Sequence, residues 1–374
     1  MRIGVPKEIV SGERRVALVP EVVPALLRGG NTITVQKEAG LSAGFTDEAY
    51  RSAGAVIADS ATGVYGAADM ILKVQRPTPD EADKIAEGAV VVGLLQPSGD
   101  RALFERLAAR RVIACSMELV PRTTRAQMMD ALSSQSTVAG YKAVLLAANA
   151  LPRFFPMLMT AAGTVRPAKV LVIGAGVAGL QVIATARRIG AVVEAFDTRP
   201  VVKEQVKSLG ASFVELDVGD DEAQDAGGYA KELTDEHIRK EKELIHKHAV
   251  QADVIITTAL VPGRRAPRLV TAETVRAMKP GSVIVDLAGE QGGNVELSVA
   301  GQTVVDSGVT IMSPLHISSE LPYHASQMYA RNVAAFVALL APEGKLNLNM
   351  SDDIIAAVCV TAEGNVRYNP PGAR

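Results

Sequence analysis

Lys169-Val-Leu-Val-Ile-Gly-Ala-Gly-Val-Ala-Gly-Leu180, followed by Ala191-Val-Val-Glu-Ala-Phe-Asp197, decides the fold of this chain. An apolar run enters Gly174-x-Gly176-x-x-Gly179, a helix-like segment follows, and a second apolar run closes on an acid. Gly174 permits a sharp turn. Gly176 has no Cβ, so a pyrophosphate can approach the backbone, and Gly179 lets the helix pack close to the sheet. The helix N-terminus offers free N–H groups and a partial positive charge to phosphates. A lone glycine triplet is a weak signal. Here strand, turn, helix, strand and terminal acid follow in the order of a βαβ dinucleotide site, and that order makes the signal specific.

The acid bears on the choice of nucleotide. A carboxylate at Asp197 suits the two hydroxyls of an adenosine ribose and repels a 2′-phosphate. Like unit charges about 4 Å apart at an effective dielectric of about 20 cost about 4 kcal/mol before screening. The expected cofactor is therefore NAD(H). Arg199 either covers the adenine face, pairs with Asp197 or meets a phosphate. By position, Val177, Thr198, Gly228, Tyr229 and Leu260 join Gly174, Gly176, Gly179, Asp197 and Arg199 as expected cofactor contacts. Gly228 and Tyr229 lie in the acidic stretch Gly219–Leu233, where two glycines beside an aromatic suit either a flap over a ligand or a plain surface loop.

Outward from this core, short apolar runs alternate with helical patterns. Strands are expected at Arg2–Pro6, Asn31–Gln36, Met70–Val74, Ala89–Leu95 and Val112–Ser116. A second series follows at Val170–Ile173, Val192–Phe196, Ser212–Leu216, Asp253–Thr257, Ser282–Leu287 and Val309–Met312. Such alternation implies doubly wound parallel sheets. The fold class expected is α/β, with two Rossmann-like doubly wound domains joined by long helices at Ser133–Leu151 and Tyr323–Leu340. The segment after Leu346 is too short for a domain and should pack on the first. The first domain is then discontinuous, 1–132 plus 325–374, and the nucleotide domain is 133–324. A ligand cleft is expected between them, at the carboxyl ends of both sheets.

Bulk properties exclude several classes. The chain has 374 residues, 48% hydrophobic, with a net charge of −2, which argues against nucleic acid or an anionic membrane as a general partner. Runs such as Val333–Ala341 are too short to span a bilayer, and no signal peptide is visible. Cys115 and Cys359 read as isolated buried packing residues rather than a disulfide or metal site. His246 and His248 face apart on a charged helix, so they do not form a metal pair.

Several segments together resemble the alanine dehydrogenase and transhydrogenase superfamily. They are Val5-Pro-Lys-Glu8, Glu13-Arg-Arg-Val16, Leu72-Lys-Val74, the glycine turn, Val261-Pro-Gly263, Met278-Lys-Pro-Gly-Ser282 and Gln291-Gly-Gly293. Two more, Ser116–Gln135 and Gly227-Gly-Tyr-Ala-Lys-Glu-Leu233, resemble the NAD(H)-binding domain I of proton-translocating transhydrogenases. That resemblance implies an Arg–Gln–Asp loop, Arg122, Gln127 and Asp130, which with Ser133 positions the nicotinamide. Asp130 and Ser133 also suit an ordinary helix start. It further implies a homodimer, an NADP(H)-binding domain III on a partner and a membrane-spanning domain II. The chain itself would be cytoplasmic, peripheral to the membrane through those partners.

The alanine dehydrogenase branch needs a base for amine and water protons and cations for a carboxylate. By resemblance those roles fall to an Arg, a Lys, a His and an Asp. This chain keeps Arg15 but has Gln75, Gln96 and Glu290 at the other positions. Gln neither titrates near neutrality nor carries charge, so the amino-acid oxidation site reads as dismantled, with Arg15 left to pair with Glu13 or Glu8. An NAD-dependent amino-acid dehydrogenase is the alternative function.

Overall fold

The computed structural model describes residues 1–216, 235–261 and 265–369. The chain opens with strands β1 (Arg2–Val5), β2 (Thr32–Gln36), β3 (Val56–Ala58), β4 (Met70–Gln75), β5 (Val90–Leu94) and β6 (Ile113–Ser116). It continues with β7 (Lys169–Ile173), β8 (Val192–Phe196), β9 (Ser212–Val214), β10 (Val254–Thr257), β11 (Val283–Asp286), β12 (Thr303–Asp306) and β13 (Val309–Met312). Strands β14 (Cys359–Ala362) and β15 (Asn365–Val366) follow near the end. The helices that matter below are α1 (Ala131–Ala150), α2 (Val177–Arg188), α3 (Asp235–Ala249), α4 (Pro322–Leu340) and α5 (Asp353–Val358). Among the described residues, no helix is long and apolar enough to cross a membrane.

The chain divides into two units, Met1–Gln135 with Ser318–Arg374, and Ser136–Ile317. In the first, the sheet order is β15-β14-β6-β5-β4-β1-β2-β3. Neighbours from β6 to β3 are parallel, and the C-terminal strands join antiparallel. The unit is therefore discontinuous, as expected. Successive side chains on a strand face opposite ways. Thus Leu72, Val74, Val90 and Val92 pack with Tyr329, Val333 and Phe336 of α4, while Ile71 and Val91 pack with Phe104 and Leu107. Covering both faces is why these strands read as continuous apolar runs.

The second unit follows the same logic, in the order β9-β8-β7-β10-β11-β13-β12, parallel except for β12 against β13. Val170 and Val172 face α1 and α2 residues such as Val144 and Val182, while Leu171 and Ile173 face Ile245 and Ala249 of α3.

Strands β3, β12, β14 and β15, and the hairpin Leu158–Thr160 with Gly163–Val165, fall outside the expected strands. Of these, β3 and β12 are sheet edges, with Val56 63% and Val305 67% exposed, and at three and four residues they are too short to show a period. The turn into β13 uses Ser307 and Gly308 at φ of 51° and 78°, the conformation of a tight hairpin. The reading of the cysteines as isolated needs correction. Both are buried and reduced, but β14 pairs with β6 so that Cys359 stands opposite Cys115.

Candidate functional site

Strand β7 has β8 on one side and β10 on the other, so the chain order reverses at its carboxyl end. Ligands of doubly wound sheets bind at such a switch point. The glycine turn sits there. Gly174 holds φ of +95°, and a Cβ on it would meet Thr258 Oγ1 at 2.8 Å. A Cβ on Gly179 would lie 1.9 Å from Gly174 O, so α2 packs as close to the turn as a glycine allows. Gly176 differs. A Cβ there would meet nothing within 4 Å, and the residue starts α2 without a side-chain cap. Free space beside uncapped helix N–H groups fits a phosphate pair.

The other expected contacts cluster at the same edge. Asp197 follows β8, and its Oδ2 accepts a hydrogen bond from Ala175 N at 2.7 Å, tying acid to glycine turn. Arg199 donates from its backbone N and Nε to Asp197 Oδ1, both at 2.9 Å, and from Nη2 to Oδ2 at 2.8 Å. Of the options open for Arg199, the structure shows the pairing. Val177 and Leu260 are 39% and 40% exposed, while Thr198 is half-buried. Gly228 and Tyr229 lie outside the described residues.

Sequence reasoning missed the polar frame beneath this edge. Thr258 Oγ1 donates to Gly174 O at 3.0 Å. Asn294, fully buried, accepts from Ala259 N and donates to Ala259 O and Pro267 O. Asp286, also fully buried, accepts from Thr257 Oγ1, Ala288 N and Asn294 N at one oxygen and from Val295 N and Ser298 Oγ at the other. Glu241 of α3 was missed too. Burial, reinforced by Asp197 and opposed by Lys242, pushes its carboxyl up to about 7.

The loop of the first unit that carries Arg122 and Gln127 exposes both side chains. It winds through a 3-10 turn, Thr124–Met129, into α1. Asp130 accepts from Ser133 N at 2.9 Å and from Ser133 Oγ at 2.6 Å, the geometry of a helix start. The loop is anchored by Arg125, which pairs with Asp352 at 2.8 Å and with Asp353.

Near the carboxyl end of β4 lies a buried charged network. Glu13 accepts from Arg15 Nε at 2.8 Å and Nη2 at 2.6 Å, from Gln75 Nε2 at 2.7 Å and from Ser319 Oγ at 2.9 Å. Arg15 Nη1 donates to Gln135 Oε1 at 2.7 Å. Burial raises the Glu13 carboxyl, but the hydrogen bonds and charge of Arg15, with Gln75, outweigh it and hold the group at about 2. Lys73 lies 2.9 Å from Glu81 and 3.2 Å from Glu8, all three buried. Gln96 is exposed at φ of 50°, its N–H donating to Glu118, whose carboxyl burial pushes up. In the second unit Glu290 Oε1 accepts from His316 N and lies 3.3 Å from His316 Nδ1.

A parallel sheet with a glycine turn, an uncapped helix and a strand-end acid at its switch point defines a Rossmann-type nucleotide fold. The family models described as alanine dehydrogenase/PNT N-terminal domain and C-terminal domain match residues 4–139 and 143–369, and the chain belongs to that family. It is 47% identical to a Rhodospirillum rubrum protein named as the first portion of the NAD(P) transhydrogenase alpha subunit, over 98% of this chain and 97% of that one. A solved transhydrogenase structure from Sinorhizobium meliloti superposes with a TM-score of 0.90 at 43% identity, covering 98% of this chain and 100% of that one. The alanine dehydrogenase of Bacillus subtilis is more distant, at 32% identity over 98% of this chain and 93% of its own.

Proposed function

We propose that this chain is the NAD(H)-binding alpha-1 component of a proton-translocating NAD(P) transhydrogenase. NAD(H) at the glycine turn would supply or receive the hydride, and NADP(H) on a domain III partner would be the other party. Proton movement would belong to a membrane-spanning domain II partner, through which the chain associates with the cytoplasmic membrane.

The residues have separable tasks. The α2 N-terminus and Gly176 take the pyrophosphate, and Asp197, neutralised in part by Arg199, takes the adenosine ribose. Val177, Thr198 and Leu260 line the same edge, and Gly228 and Tyr229 are proposed as further cofactor contacts. Arg122, Asp130 and Ser133 hold the carboxamide at the nicotinamide end, and Gln127 reaches the ribose of the second nucleotide. Hydride exchange between two nicotinamides needs close placement and exclusion of water, with no substrate proton to move. Homodimerisation is proposed through the segment around Phe154, Met157 and Met159, 57%, 56% and 77% exposed beside the hairpin Leu158–Thr160 with Gly163–Val165.

One observation carries this reading. The glycine turn, the uncapped α2 and Asp197 meet at one edge, whereas Arg15, which would bind a substrate carboxylate, is engaged by Glu13 and Gln135, with a neutral Gln75 alongside. The purified chain should bind NADH, reduce NADP⁺ only with a domain III partner, and give no NADH from alanine and NAD⁺. Robust alanine oxidation would overturn the reading. Gln127→Asn should slow hydride transfer at least about tenfold while leaving NADH affinity within about twofold, since a lost contact of about 1.5 kcal/mol would fall on the other nucleotide.

A further inference from the structure

We propose that Cys115 and Cys359 form a reversible disulfide that staples β14 to β6 and braces the loop carrying Arg122 and Gln127. The two residues are partners in the antiparallel β6–β14 register, with a bulge immediately after Cys359. Opposed Cα atoms in antiparallel pairs stand about 4.5–5.5 Å apart. A disulfide requires about 4.4–6.8 Å. Cys359 Sγ donates to Thr361 O at 3.4 Å, beside the bulge.

The pair is asymmetric in a useful way. The hydrogen bond from its neighbour lowers Cys359, whereas that same contact and burial raise Cys115. Cys359, on the short strand β14, is assigned as the sulfur that attacks first. With hydrogen peroxide as oxidant, its thiolate takes one oxygen to become a sulfenic acid, and the other oxygen leaves as water after protonation. The Cys115 sulfur then displaces that hydroxyl from Cys359. The S–S bond forms, the hydroxyl takes up the Cys115 proton and a second water leaves. Two thiols are oxidised by two electrons and one peroxide is reduced.

Both cysteines are buried, at 0% and 4% exposure, so oxidant enters by local opening of β14. That strand is four residues long, and its outer neighbour β15 pairs with it only at Thr361 and Ala362. The link also closes a ring. From Cys115 the chain runs to Arg125, Arg125 pairs with Asp352 and Asp353, and α5 leads back to Cys359. A bond between the ends of that circuit restrains the loop between them.

The test treats the purified, reduced chain with hydrogen peroxide under native conditions. Non-reducing peptide mapping should find Cys115 and Cys359 in one linked species, lighter by two hydrogens and restored by dithiothreitol. Tryptic cleavage after Arg122 and Arg125 should slow at least about threefold on oxidation, and not at all in Cys359→Ser or Cys115→Ala. Sulfinic or sulfonic acids without the link, cross-links only between molecules, or unchanged cleavage of the linked species would each overturn the proposal. None of these readouts depends on nucleotide binding.

Discussion

Alanine at positions 176 and 179 should separate binding from folding. At 176 the backbone holds φ of −75° and ψ of −167°, which alanine adopts freely, and its Cβ meets nothing within 4 Å. Reduced freedom of the unfolded chain stabilises by about 0.4–1 kcal/mol. Loss of glycine at a helix start costs a similar amount, so stability stays within about 1 kcal/mol. The methyl would occupy the room proposed for the pyrophosphate. Losing one backbone hydrogen bond to a charged phosphate costs about 1.5–3 kcal/mol. The NADH Kd should therefore rise about ten- to hundredfold. At 179 the same methyl would sit 1.9 Å from Gly174 O and 2.8 Å from Gly174 C, so α2 and the turn must separate. Overpacking of this kind costs about 1–3 kcal/mol, and a backbone clash this deep belongs at the upper end. Tm should fall by about 6–12 °C. Thermal unfolding and NADH fluorescence titration of both variants check the pair. Wild-type NADH affinity in Gly176→Ala, or a wild-type Tm in Gly179→Ala, would refute the reasoning.

Two carboxylates should move acid stability in opposite directions. Glu13 is held at about 2 against 4.5 when free, so its stabilisation is present above about pH 4.5 and lost as pH falls toward 2. The loss is up to about 3 kcal/mol, and urea unfolding of Glu13→Gln should show a flatter acid limb from a lower starting stability. Glu241 has a folded value of about 7, so the native state binds more protons and stability falls as pH rises from about 4.5 to 7. Glu241→Gln should remove about 2 kcal/mol of that loss, measured as a gain in stability at pH 8 that vanishes at pH 4. In Asp286→Asn, one amide nitrogen replaces an acceptor in a fully buried site, turning toward donors it cannot satisfy. Unfolding should become easier by about 3 kcal/mol, and unchanged denaturant midpoints would count against the role given to this carboxylate.

What was legible in the chain was what the backbone demands locally. Gly174 and Gly179 answer a need of atoms within a few residues or next to the adjoining strand, and Gly176 leaves open space between them, so their spacing carries the meaning. The parallel strands were legible because burial on both faces forces an apolar residue at nearly every position, as along β4 and β10. Lys73 is the telling exception. It interrupts β4 as a fully buried cation, tolerated only because Glu8 and Glu81 come to it from other elements. Removing one member of such a group leaves an uncompensated charge, so all three residues hold one another in place. Nothing in the local pattern announces that arrangement, nor the five donors that converge on Asp286. The nearness of the two cysteines was illegible for the same reason: the whole second unit intervenes between them in the chain, and only the return of β14 to the first sheet makes them neighbours. Edge strands β3 and β12 escaped because three or four residues are too few for a period to show, leaving β12 marked chiefly by the Ser307-Gly308 turn. The polar residues that frame a site depend on partners distant in the chain. Their identity becomes readable only after topology has brought those partners together.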